Sequence, residues 1–287
     1  MAEILKGSEV VASLNEKMAA DIKKLNANNI HPTLAILRVG ERADDLSYER
    51  GAKKRCETVG VHVHSVALPE DVSQEDLEKE LKMLNLDHKI HGILLFRPLP
   101  KHIDEEKIRS MLSPSKDIDG ITDISMAGVF TNTKIGYTPC TAQACIEILD
   151  HYGIDCKGKK AVVIGRSLVV GKPVANLLLA KNATVTVCHT RTIDIPSHTK
   201  DADIVIVAAG RAETIGAEYF SGNQIVIDVG INWSDEKQKL VGDVDFESAV
   251  DLVSAITPVP GGVGTVTTSV LVSHVVEAAN RTLSDSN

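Results

Sequence analysis

Between Val162 and Pro173 the chain reads Val-Val-Ile-Gly-Arg-Ser-Leu-Val-Val-Gly-Lys-Pro, an arrangement suited to holding an anion. Apolar Ala161 to Ile164 predicts a buried parallel strand and Gly165 a turn. Gly171 and Pro173 open an apolar helix through Leu177, Leu178 and Leu179. At such a junction unpaired backbone N–H groups and the helix dipole converge, which is how a dinucleotide pyrophosphate is held. Ser167 stands where the common fingerprint has its second glycine, and the last glycine falls one residue late. Similar turns occur in α/β proteins that bind nothing there, so the motif alone leaves both readings open.

Other residues are able to meet a ligand. Pro258-Val259-Pro260-Gly261-Gly262-Val263-Gly264 is stiff at its start and bare at its tip, so backbone there can approach a flat molecule. A tight turn before the last helix is the plainer reading. Asp117 and Asp119 flank a loop next to Gly120, as ligand groups or as solvated turn formers. Ile231 follows a strand end, where open α/β sheets place ligands; ordinary core packing is its alternative. Cys56, Cys140, Cys145, Cys156 and Cys188 show neither Cys-x-x-Cys spacing nor an even count, so they read as buried thiols, and no metal site is expected.

The elements that must position these residues follow from hydrophobic periodicity. In the first half, helices are predicted over Val10–Asn29, 43–60 and Val72–Leu86. Strands are predicted over Thr33–Val39, His62–Leu68 and Gly92–Phe96, the last stopped by Pro98 and Pro100. Residues 114–142 weaken into Pro, Ser, Thr and Asp, as a cleft-lining connection. A helix over Thr141–Tyr152 leads to strands at 161–164, 183–188, 203–209, 224–229 and 252–256, spaced as in a doubly wound sheet. A last helix, about Thr267–Thr282, is expected to return to the first domain.

With 287 residues the chain suits two domains. Its net charge of −8 argues against a nucleic-acid surface, which needs basic residues against phosphates. The N-terminus lacks a signal-peptide pattern, and no apolar run nears the roughly 20 residues that span a bilayer. A cytoplasmic protein without membrane or nucleic-acid partners is expected.

Several segments together resemble one family. They are Tyr48 with Cys56 eight residues on, Pro98-Leu99-Pro100, Lys116-Asp117-Ile118-Asp119-Gly120, Pro139-Cys140-Thr141 and the 165–173 turn, followed by Asp228-Val229-Gly230-Ile231-Asn232, Gly242-Asp243-Val244 and Thr257 to Gly264. The chain resembles the bifunctional methylenetetrahydrofolate dehydrogenase/methenyltetrahydrofolate cyclohydrolase family over nearly its whole length. The resemblance implies a small α/β folate-side domain (1–140 and 267–287) and a Rossmann-like NAD(P)-binding domain (141–266). It also implies tetrahydrofolate derivatives as substrates and a homodimer. Tyr48 and Asp119 are the implied catalytic residues, with Pro260, Gly261 and Gly262 also against the substrate. Gly165, Arg166, Ser167, Gly171, Thr190, Arg191 and Ile231 are expected to hold the cofactor.

Two positions depart from the family pattern. The family carries Tyr-x-x-x-Lys on the second helix, its lysine central to hydrolysis; anchored on Tyr48 and Cys56, that position is Ala52. Lys53 lies about 100° and Lys54 about 200° around the helix from the Tyr48 face. The family glutamine two places before Pro-Leu-Pro is Phe96. Hydride transfer needs chiefly orientation, whereas hydrolysis needs water oriented and protons moved. The expectation is therefore a dehydrogenase with weak or absent cyclohydrolase activity. A fully bifunctional enzyme and a catalytically idle NADP- or folate-binding protein are the alternatives.

The cofactor is expected to be NADP. A site selecting NAD usually ends its second strand in Asp or Glu. Here Val187-Cys188-His189-Thr190-Arg191-Thr192 has no carboxylate, and Arg166, Thr190 and Arg191 could meet a 2′-phosphate, or be solvated surface residues.

Overall fold

Short continuous apolar runs and longer stretches with a period near 3.6 alternate along the chain and set its elements. The computed structural model describes residues 2–285. β1 (Glu3–Ile4) precedes α1 (Gly7–Ala27), followed by β2 (Thr33–Val39), α2 (Ala43–Val59), β3 (His62–Leu68), α3 (Gln74–Leu86) and β4 (Gly92–Leu95). Next come α4 (Glu105–Met111), α5 (Asp123–Thr131), α6 (Cys140–His151), β5 (Lys160–Ile164), α7 (Gly171–Ala180) and β6 (Thr184–Cys188). The chain continues with α8 (Ile195–Thr199), β7 (Ile204–Val207), β8 (Ile225–Asp228), β9 (Asn232–Ser234) and β10 (Lys239–Val241). It ends with α9 (Phe246–Ala249), β11 (Ala255–Ile256) and α10 (Val263–Asp285).

Two units result. One takes the residues up to Ala12 with Thr141–Thr267; the other takes Ser13–Cys140 and the chain from Thr268 on. In the second, β3, β2 and β4 form a parallel sheet with β2 central. β2 and β4 are nearly all apolar because neighbours cover both their faces. Ala35, Leu37, Ile93 and Leu95 pack there with Leu77, Leu81 and Leu84 of α3 and with Ile108 of α4. In the first unit six parallel strands run in the order β1-β11-β8-β7-β5-β6, with the wholly buried Ile204–Val207 inside.

The α/β class, with a small α/β unit and a Rossmann-like unit, is as expected. α10 belongs to the first unit up to Thr267 and to the other from Thr268. The division differs at the start of the chain. Glu3 and Ile4 pair with Ala255 and Ile256, so residues up to Ala12 join the six-stranded unit rather than the folate-side one. A two-residue strand is too short for any periodicity to reveal it.

The stretch 114–142, expected as irregular connection, contains α5. Its cap is Thr122, whose hydroxyl accepts the Ser125 N–H at 3.2 Å, and the whole turn hangs on Asp117. This carboxylate is fully buried and accepts from Ile121 N, Thr122 N, Thr122 Oγ1 and Ser125 Oγ at 2.9, 2.8, 2.7 and 2.6 Å. All four donors come from within the fold, which makes Asp117 a structural group. Strand 252–256 shortens to β11, and the hairpin β9–β10 appears where no strand pattern was legible. Among the described residues no helix is long and apolar enough to cross a membrane.

Asp117→Ala should therefore cost about 3 kcal/mol or more, because bonds to a charged acceptor contribute about 1.5–3 kcal/mol each and the donors left behind stay buried. Urea denaturation measures this, and a loss under about 1 kcal/mol would contradict the assigned role.

Candidate functional site

The β5–α7 turn can be built only from glycine at two points. Gly165 has φ of +124°, and a Cβ there would collide with the Ala208 carbonyl oxygen; a Cβ on Gly171 would collide with the Gly165 carbonyl. Ser167 caps this turn from within, its Oγ accepting Val170 N at 3.1 Å and Gly171 N at 3.5 Å. The serine in place of a glycine thus helps hold the loop shape that precedes α7. Arg166 is exposed at the tip.

Register decides what stands beside that turn. Ile164 pairs with Cys188, and Gly165 N donates to the Cys188 carbonyl at 2.8 Å. Arg166 and the pair Thr190 and Arg191 therefore leave neighbouring strands at the same carboxyl edge. The second loop is a tight turn, with His189 N donating to Thr192 Oγ1 at 2.9 Å and Arg191 N to His189 Nδ1 at 3.2 Å. Thr190 and Arg191 are exposed, and no carboxylate occupies this loop up to Thr192.

Along the same edge lies a pocket of about 150 Å³ whose lining includes Asp228, Ile231, Pro260, Gly261 and Gly262. Ile231 is exposed, 57%, instead of packed in a core. Gly261 has φ of +105°, and its carbonyl accepts the Gly7 N–H at 2.8 Å, which fixes the bare loop tip.

Tyr48, Ala52, Phe96 and Asp119 lie in the other unit. Phe96 packs edge-on against Tyr48, ring centroids 5.8 Å apart at 85°. Ala52 is completely buried one helical turn from Tyr48. The Tyr48 hydroxyl shares a hydrogen bond with Thr268. Burial, then the Asp119 and Cys140 charges, push its pKa far up, so it remains protonated. Burial also raises the Asp119 carboxyl to about 6, against a hydrogen bond from Cys140 and the Arg97 charge that lower it; Asp117 adds to the rise. Cys140 stays a thiol because burial and Asp119 hold its pKa well above the usual range.

Lys53 is committed elsewhere. Its Nζ is 2.6 Å from Glu49 Oε1, and Glu49 also accepts from Arg38 Nε at 2.9 Å and Ser65 Oγ at 3.2 Å. Burial disfavours the Glu49 charge, yet these partners outweigh it and hold the carboxyl below its usual range. Sequence reasoning gave Thr268 and Arg97 no role, for each acts only through a partner distant in the chain. Among the described residues no group of three or more His, Cys, Asp or Glu is placed to hold a metal ion.

Known proteins give this geometry its context. Residues 5–119 match the family model of the tetrahydrofolate dehydrogenase/cyclohydrolase catalytic domain, and residues 139–283 that of the NAD(P)-binding domain. A protein of Clostridium botulinum named bifunctional protein FolD is 50% identical over 281 residues, 98% of this chain and 99% of that one. The crystal structure of bifunctional FolD from Campylobacter jejuni superposes with a TM-score of 0.95 at 37% identity, covering 98% and 100% of the two chains. A Trypanosoma brucei methylenetetrahydrofolate dehydrogenase-cyclohydrolase, complexed with NADP and an inhibitor, gives a TM-score of 0.90 at 34% identity over 98% of each chain. The bifunctional names of these relatives count against the expectation of a weak or absent hydrolytic step.

The Asp119 environment has a thermodynamic consequence. Its folded pKa, about 6, lies above the ordinary 3.8. The folded protein thus binds this proton more tightly than the unfolded chain, so stability falls as pH rises from about 4 to about 6 and the full cost of the ionised Asp119 stands above that. Asp119→Asn should stabilise at pH 7.5 by about 2–3 kcal/mol, with the gain fading as pH falls through 6 and gone near 4. Thermal melts across that range measure it; a destabilised variant at pH 7.5 would contradict the burial argument.

Proposed function

The chain belongs to the tetrahydrofolate dehydrogenase/cyclohydrolase family, and on that premise we propose that it oxidises 5,10-methylenetetrahydrofolate with NADP and carries the methenyl product on to 10-formyltetrahydrofolate. The observation that carries the first step is the glycine-only β5–α7 turn with Arg166, Thr190 and Arg191 on adjoining strand ends of the NAD(P)-binding domain. NADP supplies the hydride acceptor. Backbone around Gly165, Ser167 and Gly171 holds its pyrophosphate, while Arg166 with Thr190 and Arg191 receives the 2′-phosphate by charge-assisted bonds. Ile231 stands against the ring-bearing end.

On the folate side, Tyr48 offers its ring face to the substrate, and ionised Asp119 accepts paired N–H bonds from the pterin. Pro260, Gly261 and Gly262 let backbone approach the flat ligand. Hydride leaves the methylene carbon as its flanking nitrogens donate electrons, so this step needs orientation and no proton transfer. A homodimer in the cytoplasm completes the reading; five free, buried cysteines fit a reducing compartment.

Hydrolysis is where two observations pull apart. The whole-length relatives named bifunctional favour a chain that performs both steps. Ala52 and Phe96 favour a second reading, in which oxidation is the main activity, because neither side chain can orient water or move a proton. Two absorbance assays on purified protein separate them: NADP reduction with methylenetetrahydrofolate, and loss of methenyltetrahydrofolate above the spontaneous rate. Comparable rates support the two-step enzyme; reduction without hydrolysis supports the second reading; neither activity refutes both.

Two variant sets follow. Arg166→Ala should narrow the preference for NADP over NAD by roughly 10- to 100-fold, the equivalent of one charge-assisted bond of about 1.5–3 kcal/mol. A wild-type protein preferring NAD would refute the cofactor assignment. Ala52→Lys combined with Phe96→Gln should raise hydrolysis by more than the two single changes added together, since both residues adjoin Tyr48. Additive effects would mean the two positions act independently.

A further inference from the structure

Two buried carboxylates in the six-stranded unit are held by uncharged donors. Asp228, 3% exposed at the end of β8, accepts Gly230 N at 2.9 Å and Asp243 N at 3.1 Å on Oδ1, and Val244 N at 3.0 Å on Oδ2. Its own N–H donates to Thr257 Oγ1 at 2.8 Å. Asp243, fully buried, accepts Arg211 N at 3.0 Å and Asn232 Nδ2 at 2.9 Å on Oδ1, and Gly210 N at 2.7 Å on Oδ2. Gly230 and Gly242 permit this: a Cβ on either would collide with the carboxylate of Asp243 or Asp228 respectively.

The bonds join four segments that are separate in sequence: 210–211, 228–232, 242–244 and Thr257, where the glycine-rich loop begins. Ile231 sits between bonded Gly230 and bonded Asn232. Its side chain lies over Gly264, where a Cβ would come within 2.6 Å of Ile231 Cδ1. The Ile231 backbone is thus flanked on both sides by bonded residues, while its side chain is exposed at the pocket beside Gly264.

We propose that Asp228 and Asp243 are positioning residues that fix Ile231 and, through it, the ring-bearing end of a bound nicotinamide cofactor. The inference rests on the NADP-linked reading above. A carboxylate suits the task because it presents only acceptors, so N–H groups from several loops can close on it at once. An amide in the same place would turn an N–H₂ toward backbone donors and open at least one loop.

The test uses the full-length protein. Asp243→Asn should lower kcat for NADP reduction at least tenfold per folded molecule. The affinity for 2′,5′-ADP, which lacks the nicotinamide, should stay within twofold. In protein without cofactor, the Ile231 Cδ1 methyl signal, assigned through Ile231→Val, should move. Asn232→Ala supplies the same test if Asp243→Asn does not fold, since it removes only the Asn232 Nδ2 donor to Asp243 Oδ1 next to Ile231. A fall in kcat below tenfold, a 2′,5′-ADP affinity weakened in step with kcat, or an unmoved methyl signal overturns the proposal. Absence of NADP reduction in the wild type would instead refute the functional reading, and the methyl signal would still decide the positioning of Ile231.

Discussion

Parallel pairing in register is the constraint on which the nucleotide-type unit depends. Ile164 is bonded beside Cys188 on one side and Val207 on the other, and Val207 pairs with Asp228. All four strands therefore end level, and the loops after them emerge at one edge. Only that alignment brings an arginine after β5, a threonine and arginine after β6 and an isoleucine after β8 to a shared border. A register slip of one residue would turn every side chain to the other face, so the buried run Ile204–Val207 protects the site's geometry as well as the core.

A second constraint is the accounting of buried charge. A carboxylate taken out of water must be surrounded by donors or lose its charge. Asp117, Asp228 and Asp243 are surrounded, each by three or more N–H or O–H groups, and each thereby closes loops. Asp119 is different. Its neighbours offer one thiol and a nearby arginine; burial raises its carboxyl to about 6, as burial also raises Asp228 despite its three backbone donors, so what sets Asp119 apart is its shortage of donors. An acceptor left this poorly satisfied within the fold is destabilising in itself and available to a ligand that brings N–H groups of its own. Strain of that kind concentrates where binding energy is later recovered.

Much of this was legible in the sequence. The strands Thr33–Val39 and His62–Leu68 are read to the residue, since each is bounded by turn formers and carries a pure β pattern. The glycine turn at 165–171 and the loop at 258–264 were visible because glycine and proline act locally. What was missed acts at a distance. β1 exists only because β11 offers an edge, and α5 only because Asp117 gathers its first turn. The roles of Asp228 and Asp243 depend on donors up to 33 residues away, as in the bond from Gly210 to Asp243. No periodicity encodes such a contact.

The α2 face shows how one substitution constrains its neighbours. By the family resemblance a lysine is expected at position 52; here Ala52 is small, uncharged and buried, and Phe96 packs its ring edge against Tyr48. Together they leave no orphaned amide and no buried ammonium, so packing around Tyr48 is satisfied without a polar network. Lys53 does not restore the lost charge, because Glu49 holds it through a 2.6 Å ion pair that also engages Arg38 on β2. Moving Lys53 toward Tyr48 would leave buried Glu49 short of one partner as well as distort the helix. In the mechanism proposed above, an orientation-limited hydride transfer loses little by this exchange, since Tyr48 and Asp119 remain in place. In that same proposed mechanism, a proton-moving hydrolysis would draw its general base from another group, since the neighbouring Cys140 thiol is held protonated. The same two side chains therefore weigh unequally on the two chemical steps.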